Sequence, residues 1–343
     1  MRLTRSTVIS FVLLAMAAAP VAAAPPSAAA AARAEHQRVV GYWTAERVAS
    51  AKPRDFVRSG TDFVPASQPD ARGKPAGKGK PGGGSSVTGA TWTKDGVVVE
   101  RVGKVYFSMG ESNWQCSGAV AQDGRSGYSL VLTAAHCAYD EVAETFASNW
   151  IFIPAWGESP TGFQGVDCSR YGGTKHGCWT ASALVVHEGY ATAGGFNTQA
   201  TVHDFAFAVV GPGGKSNTQL DVTVGGYPIS FAAPSTGWRA AAFGFPAAGK
   251  YKGNTLTYCA GATITDAWND DLTWGVGCNM TGGSSGGPWL RDFNETNGSG
   301  GTLSSLNSYG YSGVKNIYGP KFNSDTQAVY NSANGATNNT IVP

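Results

Sequence analysis

Apolar residues in this chain come in short bursts divided by glycine, asparagine, serine and threonine, and no extended helical period links one burst to the next. The spacing predicts strands over 96–102, 104–108, 127–133, 150–153, 183–186, 205–210, 240–245, 255–265, 272–277 and 303–311. So many short strands between turn residues imply an all-β architecture, and the 255 residues of 89–343 are enough to bury a substantial core.

The pattern differs at the N-terminus. Arg2 and Arg5 precede an apolar run over 8–16 that is too short to cross a bilayer, and small residues follow at Val21-Ala22-Ala23-Ala24. These features predict a signal peptide over 1–24 and a secreted, extracellular protein. Residues 25–88 then read as a propeptide. Its first part, to Lys52, is Ala-rich with room for a short helix, while 72–86 is Gly, Pro and Lys with almost nothing apolar to bury. Such a linker is flexible and open to proteolysis, which leaves 89–343 as the main domain.

Charge narrows the partners. Lys and Arg total 25 against 23 Asp and Glu, and no aromatic residues interleave with the basic cluster Arg72, Lys74, Lys78 and Lys80. Nucleic acid is therefore not expected as a partner. No other segment is long enough for a membrane helix, so no membrane role is expected either. Six cysteines suit an oxidising compartment, and sequence alone allows fifteen pairings. Zinc ligation by Cys168, His176 and Cys178 is an alternative, but no fourth ligand is evident.

Three motifs carry chemistry. Thr281-Gly282-Gly283-Ser284-Ser285-Gly286-Gly287-Pro288 sets a hydroxyl among glycines whose backbone N–H groups can approach a developing negative charge. Leu132-Thr133-Ala134-Ala135-His136-Cys137 ends an apolar segment on a histidine, and His203-Asp204-Phe205 opens another on a carboxylate. A hydroxyl, an imidazole and a carboxylate together suit acyl transfer.

The Ser-Gly-Gly-Pro ending, with Thr-Ala-Ala-His-Cys upstream and Cys116-Ser117-Gly118 before that, resembles the trypsin/chymotrypsin-like serine endopeptidases. The closer likeness is to their secreted bacterial, glutamyl endopeptidase-like branch. It spans roughly residues 103–313 and is strongest at the three motifs. The resemblance implies two six-stranded antiparallel β-barrels, the first carrying His136 and Asp204 and the second Ser285. It implies catalytic roles for all three, an oxyanion hole at the N–H groups of Gly283 and Ser285, and a Cys116–Cys137 disulfide. Cys168–Cys178 and Cys259–Cys278 are the pairs then expected. Substrate binding is expected at Asn279, Met280, Asn307, Ser308, Tyr309 and Gly310.

Two departures from the animal digestive members matter. Ser284 stands where those enzymes carry an aspartate, so a new N-terminal ammonium lacks its usual partner; propeptide removal is expected to uncover the cleft or release a folding aid. Cys278 lies farther from Ser285 than the corresponding cysteine there. Glutamyl-specific relatives place a histidine where this chain has Asn307, so a neutral or broad preference at P1, the residue before the scissile bond, is expected, with glutamate as the alternative. The insertion at 157–179 either shapes the cleft or covers the first barrel. A monomeric endopeptidase acting on protein or peptide substrates, with no cofactor and no metal, is the function expected. A silent protease-like binding module and a serine esterase are the alternatives, the esterase lacking its usual Ser-Asp-His order.

Overall fold

The computed structural model describes residues 27–60, 62–65, 85–158 and 174–343. The expected signal peptide, most of the Gly/Pro/Lys linker, Cys168 and much of the 157–179 insertion lie outside the described residues.

Six strands close into a barrel by antiparallel pairing. Around the ring these are Val102–Met109, Ser112–Ala121, Ser129–Thr133, Ala206–Val210, Trp179–His187 and Ser148–Pro154, the last pairing back to Val102–Met109. Its strands are buried at most positions, so both faces are covered: the strand register sets Val105, Val120, Val131 and Phe152 on one face and Leu130, Leu132 and Ile151 on the other. Thr340–Val342 adds in parallel along Val185–His187.

The second half departs from the expected all-β fold of two six-stranded barrels. Its strands divide between a five-stranded and a six-stranded sheet. The first runs Ser299–Leu306, Pro288–Asn294, Arg239–Gly244, Thr257–Ala262, Val87–Thr91; the second runs Ile264–Thr265, Thr273–Gly277, Asn316–Pro320, Tyr309–Tyr311, Phe56–Ser59, Asp62–Pro65. The two sheets come together where Thr257–Ala262 lies beside Thr273–Gly277 and Ser299–Leu306 beside Asn316–Pro320, but no strand ladder joins them there, and Phe56–Ser59, from the segment read as propeptide, pairs with Tyr309–Tyr311. Cys259–Cys278 joins the two sheets across a small core containing Trp274, Val276, Met280 and Trp289.

Seven α-helices among the described residues also overturn the all-β reading. The Ala-rich stretch folds as Ala28–Tyr42, started by the Ser27 hydroxyl accepting from the Ala30 N–H. Val39 and Trp43 anchor it to the barrel, where the Trp43 indole donates to the Asn149 carbonyl and packs 5.4 Å from the Tyr106 ring. Val97–Arg101 is helical although three consecutive valines read as strand; Gly96, at φ 115°, turns the chain there and the Gly298 carbonyl accepts from the Val98 N–H. Ser324–Ala333 begins at an Asn323/Thr326 capping box and buries Thr326, Val329 and Ala333, three- and four-residue spacings that place one face on the barrel.

One buried cation has a measurable consequence. Lys104 is 3 % exposed in strand Val102–Met109, with its ammonium 5.3 Å from the Tyr106 ring centre and 5.2 Å from that of Trp156. Loss of hydration pushes its pKa down to about 7. Between pH 7 and the ordinary lysine value the unfolded chain binds a proton that the folded chain has released, so stability rises with pH through that window. The urea midpoint is expected to rise from pH 6 to pH 9. Lys104→Met should flatten the rise and stabilise the protein at pH 6 by on the order of a few kcal/mol. An unchanged slope in the variant would refute this account.

Candidate active site

Strand register brings the histidine to the carboxylate. Ala206 pairs with Thr133, so the residues just beyond that pair, Asp204 on one strand and the tight turn Ala135–Cys137 on the other, meet at the barrel rim. The His136 backbone N–H donates to Asp204 Oδ1 at 2.9 Å, and ring Nδ1 lies 2.8 Å from Oδ2. A carboxylate facing Nδ1 assigns the proton to that nitrogen and leaves Nε2 as the basic one. Both side chains are fully buried, and His136 Nε2 has no hydrogen-bond partner among the described residues. The Cys116–Cys137 disulfide holds this turn against strand Ser112–Ala121.

The glycines of the 281–288 loop answer a packing need. A Cβ at Gly286, where φ is 80°, would stand 2.2 Å from Thr133 Oγ1 and 2.4 Å from the Ser117 carbonyl oxygen. Glycine thus lets the loop press onto the first barrel. There the Ser117 N–H donates to the Ser285 carbonyl at 2.7 Å, and the Ser117 hydroxyl donates to that of Gly283 at 2.8 Å. Within the loop the N–H groups of Ser284 and Gly287 donate to the carbonyls of Thr281 and Ser284, and that of Gly286 donates to the Asn307 carbonyl, a set that leaves those of Gly283 and Ser285 uninvolved. The Ser285 hydroxyl donates to Asp55 Oδ1 at 3.3 Å.

The six residues expected to bind substrate take distinct positions. Asn307 is fully buried under the loop: its side-chain amide donates to the carbonyls of Phe243 and Ser284, and its oxygen accepts from the Trp289 indole. The Ser308 hydroxyl donates to Asp204 Oδ2 at 2.5 Å, a third bond to that carboxylate. Tyr309 turns its hydroxyl into a buried cluster with Asp266 and Thr273. Gly310 pairs with Val57 and Ile317. Asn279 accepts from the Tyr251 hydroxyl, and Met280 sits in the small core.

Sequence reasoning missed Ser117, Asp55, Phe56 and Phe196. Phe196 packs 5.8 Å from the His136 ring and stacks at 4.0 Å on Phe56. Only Ser117 carried a signal, its place in the Cys-Ser-Gly motif.

Comparison with solved structures settles the family. A thermostable serine protease, AL20, from an extremophilic microorganism shares 35 % identity over 70 % of this chain and 99 % of its own, with a TM-score of 0.58. The protease Anisep of Arthrobacter nicotinovorans shares 33 % over 73 % of this chain and all of its own, with a TM-score of 0.60. The chain belongs to the bacterial chymotrypsin/trypsin-like serine proteases. A Glu endopeptidase structure shares the fold at 18 % identity and a TM-score of 0.52. No family model and no curated protein matches this protease.

Its disulfides are informative about metals. Cys116, His136 and Cys137 lie close enough to hold an ion, but both thiols are consumed in their disulfide. The zinc reading also loses support: Cys178 is disulfide-bonded, and the His176 ring bonds to Glu100 at 2.5 Å. His187, His203 and Asp325 form another close group, yet His187 Nδ1 already accepts from the Gly189 N–H, so its neutral ring carries a proton on Nε2. No helix among the described residues is long and apolar enough to cross a membrane.

Proposed function

We propose that this protease is a secreted serine endopeptidase, made with a propeptide over 25–88, that cleaves peptide bonds through an acyl-enzyme. The observation that carries the reading is the doubly bonded Asp204–His136 pair, with the imidazole Nε2 unpartnered, in a chain of this family that presents Ser285 on a glycine-built loop.

Ser285 Oγ would attack the substrate carbonyl as His136 Nε2 takes its proton, and Asp204 would hold the ring and stabilise the imidazolium without accepting the proton. The N–H groups of Gly283 and Ser285 would donate to the oxyanion; loss of one such donor costs about 2.7–4 kcal/mol of transition-state stabilisation. His136 then protonates the leaving amine, and water, deprotonated by the same nitrogen, releases the acyl group. A neutral or broad P1 preference fits an Asn279 side chain bonded to Tyr251 and a Met280 side chain in the core, since neither supplies a charge.

A fluorophosphonate probe tests the reading. Stoichiometric labelling of Ser285 is expected in the processed protein, and none in Ser285→Ala, with cleavage of a peptide library separating peptidase from esterase. Absence of labelling in processed, folded protein would defeat the proposal.

A further inference from the structure

The cleft between the two halves is bridged by the protein's own N-terminal segment. Lys52–Pro53 pairs in parallel with Trp114 and Gln115 of the barrel, and the Gln115 amide donates to the Ala51 carbonyl. Four residues on, Phe56–Ser59 pairs in parallel with Tyr309–Tyr311 of the second half. Between these attachments Arg54 makes a buried ion pair with Glu141 at 2.9 Å.

The two residues at the centre of the bridge meet the candidate catalytic groups in turn. Asp55 accepts a hydrogen bond from the Ser285 hydroxyl, and its neighbour Phe56 sets its ring edge-on, 5.4 Å from that of His136, while stacking on Phe196. Asp55 also leans on Gly282, where a Cβ would stand 3.1 Å from Oδ2. Phe63, on the following strand, packs against Phe196 and Tyr309.

Each contact opposes catalysis for a stated reason. The Ser285 proton is held by a carboxylate, and His136 Nε2 is left without a partner among the described residues, so the serine-to-histidine transfer is uncoupled. The carbon next to Ser285 Oγ belongs to a carboxylate, which is electron-rich and a poor acyl acceptor for attack. The edge of Tyr309–Tyr311, which offers main-chain groups to an extended peptide, is already filled by Phe56–Ser59.

The geometry points to residues 51–65 as the enzyme's built-in inhibitor, with Asp55 capping the nucleophile and Phe56 and Phe63 occupying an aromatic site lined by His136, Phe196 and Tyr309. This deepens the serine-peptidase reading and rests on it. Activation is then cleavage of a peptide bond between Pro65 and Ser85 by water in a protease site, followed by departure of the segment.

The test compares fluorophosphonate labelling rates of Ser285 in the unclipped full chain, identified by intact mass, and in the chain clipped between Pro65 and Ser85 and freed of its N-terminal fragment. The unclipped chain is expected to label about 100-fold more slowly, the ratio for a cleft open in roughly 1 % of molecules. An unclipped Asp55→Ala/Phe56→Ala chain should recover most of that difference. Equal rates in the two wild-type forms would overturn the inference and leave the hydrolase reading standing, whereas no labelling in either form would remove the hydrolase reading itself. The wild-type comparison needs no substitution, so a double variant that folds poorly does not affect it. A folded double variant that labels as slowly as the unclipped wild type would overturn the roles given to Asp55 and Phe56.

Discussion

Replacing Asp204 by asparagine is expected to lower kcat/KM of the processed enzyme about 10⁴-fold while leaving it folded. The carboxylate accepts three hydrogen bonds, from the His136 backbone N–H, from ring Nδ1 and from the Ser308 hydroxyl. An amide can keep the backbone bond with its oxygen, but its NH₂ then faces Nδ1. The ring responds by carrying its proton on Nε2, where it can no longer accept from Ser285. The imidazolium formed during turnover also loses its counter-charge. Peptide hydrolysis and the urea midpoint, measured on the same preparation, check this; a fall of under tenfold would mean that Asp204 does not orient the base.

The second large effect is structural. Asn307→Leu nearly conserves volume yet removes every hydrogen bond of a fully buried side chain, leaving the Phe243 and Ser284 carbonyls and the Trp289 indole N–H without that partner. The Ser284 carbonyl keeps its bond from the Gly287 N–H, so at about 1–3 kcal/mol for each buried group left unsatisfied the loss is on the order of 2–4 kcal/mol. Asn307 also brackets the loop through its backbone, with its carbonyl accepting from Gly286 and its N–H donating to Gly287. Destabilisation should therefore be accompanied by slower labelling of Ser285. A urea midpoint within error of the parent would show that the loop holds itself.

How far each feature could be read from sequence depended on how local its cause was. His136, Asp204 and Ser285 stand in short motifs because the chemistry admits few side-chain types, and five strands of the first barrel were legible as short apolar runs, whereas Ser112–Ala121 was not, since Ser112, Asn113, Gln115 and Ser117 interrupt its apolar residues. The Cys116–Cys137 pair followed from family likeness and the Cys259–Cys278 pair from the order of the cysteines and the departure of Cys278 from the family pattern, and both are present. Val97–Arg101 misled because the turn at Gly96 outweighed the strand preference of valine. Ser324–Ala333 was overlooked although Asn323 and Thr326 spell a helix start. The side-chain partners of Asn307 and Ser308 are set by residues 18 and 104 positions away or more, and no local pattern encodes them. The path of residues 51–65 through the cleft is likewise long-range: it depends on pairing with strands some 60 and 250 positions downstream.

Helix Ala28–Tyr42 grips the barrel through Val39, Trp43 and the Trp43–Asn149 bond, well upstream of Asp55 in sequence. A cut in the linker would consequently leave the fragment attached at several points, turning an intramolecular tether into a bimolecular complex whose occupancy falls only as concentration falls. Onset of proteolysis would then track dilution, so that a concentrated pool stays quiet while the same molecules become competent once they have dispersed.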